Sequence, residues 1–302
     1  MVSVDILAKD RRFIDLKYRG KKMPEYLANQ QATQEQLSEW IASFHTNGFL
    51  VIPNVLTPTQ CELLRNDLDE ALRKSEGESY RRSRKIVKRM FEHSKHNLDL
   101  FALEPMVTFA EHLIGGANGT EYSMDEGIPN SNAIHVIHNN SFKLPPESDG
   151  LAKNAWHQDD TPQVLSLDGN PLTNIRLNVL AFTVNYYLTD VLSPENGPTQ
   201  TIPGSHLFGK FCNGDISGYE DRIHNCLGAA GSAVCFNNQV WHRGSRNDSS
   251  VTRYITQVTY AKRLVGHKYE PFMNYQMPSH CYETADRRLK QLLGFLPNGA
   301  YG

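Results

Sequence analysis

The chain has 302 residues, a formal net charge of -2 and 21% charged residues, so nothing global points to nucleic acid or an anionic membrane surface as a partner. That length allows one β-rich domain with helical additions and a sizeable core. Five scattered cysteines, odd in number and without a CxxC pair, argue against a disulfide framework or a zinc ribbon and suit a reducing compartment.

At the N-terminus, MVSVDILAKDRRFIDLKYRG places charges where a signal peptide needs an apolar core. No apolar run reaches membrane-spanning length, so a cytoplasmic location is expected, with homodimerisation left open. The first clear element is a helix from about Thr33. Thr33 and Gln36 have capping-box spacing, and Leu37, Trp40, Ile41 and Phe44 recur at helical period. Gly48 can end that helix, and Phe49-Leu50-Val51-Ile52 reads as a short buried strand. Thr57-Pro58-Thr59-Gln60 starts a second helix with Pro at its first position, and Leu64, Leu68 and Leu72 carry its apolar stripe.

Residues 75–100 are highly charged and match no element pattern. A further helix is expected over about Leu98 to Ile114, before Gly115-Gly116. Beyond Gly119 short β-rich runs alternate with turn signals: Ala133 to Ile137, Asn174 to Leu188, Thr199 to Ile202, Ser232 to Phe236 and Val251 to Tyr260. Helices followed by many short strands predict a mainly β sandwich or barrel buttressed by N-terminal helices. We expect one domain over 1–302, helical to about 118 and barrel-forming over about 119–265.

The most informative segment is Trp156-His157-Gln158-Asp159-Asp160. On a strand, positions i and i+2 share a face, so His157 and Asp159 can present an imidazole and a carboxylate side by side. His242 can supply a second imidazole from the end of a later strand. Two histidines and one carboxylate leave three positions open on an iron ion, as oxygen activation requires. A lone HxD occurs by chance in many chains. Arg253, eleven positions after His242, raises its value: a 2-oxoglutarate dianion needs a cation for its C5 carboxylate, and arginine binds carboxylates bidentately while staying charged. Other histidines are weaker candidates. His135 and His138 are three apart in a predicted strand, hence on opposite faces; His206 reads as structural; His93, His96 and His112 read as surface or satisfied core residues.

With those residues in place, the chain resembles the phytanoyl-CoA dioxygenase family from about Leu37 to Tyr260. The Trp40, Phe44, Gly48-Phe49, Asn54-Val55-Leu56 and Leu64 block is similar to the family's opening motif. Trp156-His157-Gln158-Asp159 is similar to its HxD segment. Glu195-Asn196-Gly197-Pro198-Thr199 followed by Ile202-Pro203-Gly204-Ser205-His206 is similar to its NG…PGSH loop, with Gly231 to Phe236, His242 and Arg253 following in order. The resemblance implies a double-stranded β-helix of the jelly-roll or cupin type. It implies a non-haem enzyme using Fe(II), 2-oxoglutarate and O2 on a small-molecule substrate, with His157, Asp159 and His242 on the metal and Arg253 on the co-substrate. Thr199 and Asn185 match positions near the co-substrate, and Asn154 stands where some relatives have an amide side chain. One departure is Gly244, where many members have Ser; it removes a hydroxyl contact from the expected set.

Retention of Asp159 favours hydroxylation over halogenation, while desaturation, epoxidation and cyclisation use the same ligands. A catalytically inactive barrel acting as a binding partner would have no reason to keep all four residues, and a cupin-like isomerase would need a third histidine. Arg81 to Arg89 is the strongest local anomaly, read either as a solvated helix face or loop or as a mouth element attracting an anionic substrate. Asn139 to Lys143 is expected near the entrance. Tyr186, Trp156 and Trp241 could line the cavity, though packing is the commoner role of such aromatics.

Overall fold

The structure is a computed structural model that describes residues 27–74, 78–80, 84–115, 134–148, 156–268 and 275–295. Helix α1 (Gln34–Asn47) begins at Thr33, whose hydroxyl accepts from the Gln36 amide while the Gln36 side chain returns to the Thr33 amide; it ends at Gly48 with φ +79°. Strand β1 (Phe49–Ile52) follows, then α2 (Pro58–Lys74), which buries Leu64 and Leu68. The charged stretch contains β2 (Glu78–Tyr80) and β3 (Arg84–Lys88), an antiparallel pair. The second half of Arg81 to Arg89 is therefore a strand and not a helix face or loop; Arg81, Arg82 and Ser83 lie outside the described residues.

The helix expected over Leu98 to Ile114 is two helices, α3 (Lys95–Asp99) and α4 (Met106–Gly115), with a 3-10 turn at Leu100–Ala102 between them. Pro105 explains the break, because proline restricts the residue before it and cannot donate within a helix. Strand β4 (Ile134–Leu144) takes in Asn139 to Lys143, which therefore belong to the sheet. The run from Asn174 becomes a strand only as β5 (Ala181–Tyr187), buried at every position. Then come β6 (Thr199–Thr201), β7 (His224–Cys226), β8 (Ala233–Asn237), β9 (His242–Gly244), β10 (Arg253–Lys262) and the short helix α5 (Arg287–Leu292).

Seven strands form the major sheet in the order β1-β8-β5-β10-β4-β3-β2, and a three-stranded sheet runs β7-β6-β9. This is the double-stranded β-helix expected. Complete burial of β5 follows from having both faces covered. Its Phe182 meets Phe44 of α1 and Phe109 of α4 edge-on, with ring centroids 5.6 and 5.5 Å apart. Those helices cover the outer face, and Tyr187 turns to the inner cluster of Phe49, Val234, Phe236 and Ile255. Strand β10 alternates likewise: Tyr260 donates outward to the Phe101 carbonyl at 2.9 Å, while Ile255 packs inward.

Alternation fails at one place. The β4–β10 register shifts between Thr259 and Tyr260, so His138 pairs with Thr259 and His135 with Ala261. The extra residue, Ile137, cancels the odd spacing that was expected to put the two histidines on opposite faces. They still do not converge: His135 lies tilted against His267 with ring centroids 4.8 Å apart, whereas His138 meets the Asn140 amide at 2.6 Å.

Candidate active site

The HxD segment is held against the end of the minor sheet by backbone bonds. His157 and His242 exchange amide-to-carbonyl hydrogen bonds of 3.1 and 2.9 Å, and the Asp159 amide donates to Asn238 at 2.9 Å. These bonds set the two imidazoles beside the carboxylate. Both His157 Nε2 and His242 Nε2 lie 3.7 Å from Asp159 Oδ1, and the imidazole centroids are 4.3 Å apart. Among the described residues, these three form the group of His, Cys, Asp or Glu side chains able to hold a metal ion, with ligand atoms all within 4.8 Å of one another.

The donor set suits such an ion. Metal–nitrogen and metal–oxygen bonds of about 2.1 Å span these gaps, and a facial pair of imidazoles plus a carboxylate is the ligand chemistry of non-haem iron(II). His242 Nδ1 donates to the Val240 carbonyl at 2.8 Å, which leaves Nε2 as the ligating lone pair. Burial pushes the His242 pKa down to about 4, with Asp159 opposing, so its imidazole is neutral, as ligation requires. Phe236 packs against its ring at 4.4 Å.

One strand pair away lies the cationic end. Thr201 pairs with His242 and Thr199 with Gly244 across β6 and β9. A Cβ on Gly244 would sit 3.9 Å from Arg253 Nη2, so the glycine found in place of the family's serine stands beside this guanidinium. Arg253 Nε and Nη1 are buried without a hydrogen-bond partner. Burial lowers its pKa to about 10, with Tyr187 opposing and Arg84 adding, so it remains charged at neutral pH. A guanidinium with two buried, unpartnered nitrogens is a pre-built carboxylate site.

Asn185 and Thr199 also meet here, Asn185 Nδ2 donating to Thr199 Oγ1 at 3.2 Å. Asn154 lies outside the described residues. Gln257 escaped the sequence reading, and His138 was weighed there only as a rival metal ligand. Gln257 Nε2 donates to Asn185 Oδ1 at 3.0 Å, and His138 Nε2 meets the Asn140 side-chain amide at 2.6 Å. The i+4 spacing from Arg253 to Gln257, which keeps both on one strand face, was the available signal. Of the aromatics weighed for the cavity wall, Tyr186 is fully buried in the main core, and Trp156 and Trp241 pack with Ile202 and Phe208. His206 is structural, bonded to the His45 carbonyl at 3.0 Å. His96 pairs with Asp67 at 2.7 Å on the surface. No helix among the described residues is long and apolar enough to cross a membrane.

Similar solved structures share this architecture. HygX from Streptomyces hygroscopicus, solved with nickel and 2-oxoglutarate, superposes with a TM-score of 0.58 at 17% identity, covering 78% of this chain and 89% of that one. The carbocyclase SnoK of nogalamycin biosynthesis gives 0.57 at 18%, covering 80% and 88%. The epimerase SnoN, in complex with Fe3+, α-ketoglutarate and nogalamycin RO, gives 0.58 at 18%, covering 82% and 94%. At such identities the likeness establishes the fold. No curated protein matches the chain. The sequence model of phytanoyl-CoA dioxygenase matches residues 44–255, well over half of the chain and inclusive of every proposed ligand, and on that match the protein belongs to the phytanoyl-CoA dioxygenase family of oxygenases.

Proposed function

We propose that this enzyme is an Fe(II)- and 2-oxoglutarate-dependent dioxygenase that hydroxylates an unactivated C–H bond of a small molecule. In this reading His157, Asp159 and His242 hold the metal, and Arg253 takes the distal carboxylate of 2-oxoglutarate. Thr199, with Asn185 behind it, adds a hydroxyl contact, and Asn154 is assigned to the co-substrate on its motif position alone. The observation that carries the reading is the pairing of two oppositely suited sites on one inner face: a His-Asp-His cluster, and a guanidinium whose Nε and Nη1 are buried and unpartnered.

The metal, when bound, supplies dioxygen activation coupled to conversion of 2-oxoglutarate to succinate and CO2. The chain's own contribution is placement. The Val240 carbonyl orients His242, and the His157–His242 bridge sets the imidazoles at one distance from Asp159. The aromatic and aliphatic inner wall of Phe49, Val234, Phe236 and Ile255 keeps bulk water away.

A second outcome of the same C–H chemistry is favoured by the company this fold keeps, since similar structures are described as a carbocyclase and an epimerase. Product mass separates the cases: hydroxylation adds one oxygen, cyclisation removes two hydrogens, and epimerisation changes nothing. The primary test is anaerobic addition of Fe(II) and 2-oxoglutarate while watching for the visible charge-transfer band of the chelate. The band is expected in the wild type and in His206→Ala, and lost in His157→Ala. A wild type without it refutes the reading.

A further inference from the structure

The turn over residues 237–240, which joins β8 to β9, reaches the chain segments of two of the three proposed metal ligands. Its Val240 amide closes on the Asn237 carbonyl at 2.9 Å, and the Gln239 amide donates to Asn237 Oδ1 at 2.9 Å. The Asn237 amide donates to the Gly48 carbonyl at 2.8 Å, which anchors the turn beside the start of β1. All four residues are buried. From this frame the Val240 carbonyl orients His242. The rest of the turn grips the segment that carries Asp159. The Asp159 amide donates to the Asn238 carbonyl at 2.9 Å, Asn238 Nδ2 donates to Asp160 Oδ2 at 3.2 Å, and the Gln163 amide donates to Gln239 Oε1 at 3.0 Å.

The direction of the middle bond is fixed by its surroundings. A carboxylate only accepts, so Asn238 must offer it the amide nitrogen. Asn238 Oδ1 is then left for Thr183, whose hydroxyl donates at 3.1 Å, and Thr183 Oγ1 receives the Thr259 hydroxyl at 2.8 Å. The Asn238 backbone amide goes to the Ala181 carbonyl at 3.3 Å. Every kind of polar group on this residue is therefore engaged, and at 1% exposure it has little room to move. The two consecutive carboxylates are held to different partners. Asp159 Oδ1 stands 3.7 Å from both imidazole Nε2 atoms, whereas Asp160 is taken by Asn238 on one oxygen and faces Lys268 Nζ at 3.7 Å with the other. A ligand side chain already in place loses little freedom when a metal binds, so what holds it there adds to affinity.

We propose that Asn238 is a positioning residue of the metal centre: it clamps Asp159 through its backbone carbonyl and Asp160 through its side-chain amide, so that the Asp159 carboxylate stands at the two imidazoles before the metal arrives. This rests on the ligand assignment above. Its mechanism is preorganisation. Without the amide, the segment after His157 keeps its backbone bond to the turn and loses the side-chain bond that fixes its course past Asp159.

The test is a swap of the two side chains, read on the Fe(II) dissociation constant of the full chain in anaerobic equilibrium dialysis, with the metal-free melting temperature followed alongside. Asn238→Ala is expected to weaken Fe(II) binding about tenfold, the usual effect of removing a partner that orients a ligand. Asn238→Asp sets two carboxylates against each other and weakens binding by about tenfold or more. Asp160→Asn alone still offers an oxygen to Asn238 Nδ2 and changes affinity by less than about threefold. Adding Asp160→Asn to Asn238→Asp lets the amide donate in the reverse direction, while Thr183 still finds an oxygen at position 238. The double variant therefore recovers to within about threefold of wild type. A merely structural Asn238 would lower the metal-free melting temperature and leave the dissociation constant where it was; that result overturns the proposal, as does a swap that fails to recover. Should Asn238→Asp not fold, Asn238→Ala decides alone, wild-type affinity overturning the proposal. A wild type that binds no Fe(II) overturns the ligand assignment and this inference together, whereas wild-type binding unmoved by the variants overturns this inference alone.

Discussion

Replacing Arg253 with Met tests the co-substrate pocket through stability, without a known substrate. Burial lowers the Arg253 pKa from 12.5 to about 10, which at about 1.4 kcal/mol per pH unit places a cost of roughly 3 kcal/mol on keeping this charge in the folded protein. The folded pKa lies below the unfolded one, so the charged form is the disfavoured form. The cost is therefore full at every pH below about 10 and fades only as pH rises from there toward 12.5. Truncation to Met removes the charge and forfeits about 1 kcal/mol of van der Waals contact, so the ligand-free variant at pH 7 should be more stable than wild type by about 1–2 kcal/mol. Ligand reverses the order. At a concentration a hundred times its dissociation constant, 2-oxoglutarate stabilises wild type by about 2.7 kcal/mol. Arg253→Met should gain nothing, since losing one partner of a buried charge pair costs about 3–5 kcal/mol, a hundredfold or more in affinity. The assay is urea unfolding at pH 7, anaerobic, with and without Fe(II) and 2-oxoglutarate. A ligand-free variant less stable than wild type by over about 1 kcal/mol, or one stabilised by ligand as wild type is, refutes the reasoning.

Three further outcomes are expected. Asp159→Ala should abolish stoichiometric Fe(II) binding in equilibrium dialysis while His206→Ala retains it; retention in Asp159→Ala would remove the carboxylate from the proposed ligand set. Gly231 has φ +91° and its added Cβ would sit 2.3 Å from the Leu56 carbonyl oxygen, so Gly231→Ala should lower unfolding free energy by about 2 kcal/mol or more; a variant within about 0.5 kcal/mol of wild type would contradict this contact. Burial, with His135 adding, lowers the His267 pKa to about 4. Because the unfolded chain takes up that proton near pH 6.5 and the folded one does not, stability should fall as pH drops from about 6.5 to 4, by at most about 1.4 kcal/mol per pH unit for this one group. His267→Gln should flatten that slope in urea titrations; an unchanged slope would clear His267 of any part in it.

What could be read from residues in order was what short-range physics decides. Thr33 and Gln36 cap a helix within one turn, and Gly48 ends it because its left-handed φ suits glycine. His157 and Asp159 share a face because extended backbone alternates. His242 and Arg253 entered through their linear motif, and no distance between them was readable. Pro105 also stood in plain view, yet the apolar periodicity around it suggested one continuous helix.

The tertiary structure decided what depends on partners far away in the chain. Arg84 to Lys88 becomes a strand because β4 lies beside it, and nothing in that basic run announces the pairing. Ile137 shifts the β4–β10 register and thereby turns His138 inward, a displacement no local pattern encodes. The bonds from Gln257 to Asn185 and from Asn185 to Thr199 join three strands and exist only once those segments have met. Propensity and alternation act over a few bonds, whereas register and hydrogen-bond polarity are set by contacts between segments that only the folded chain brings together.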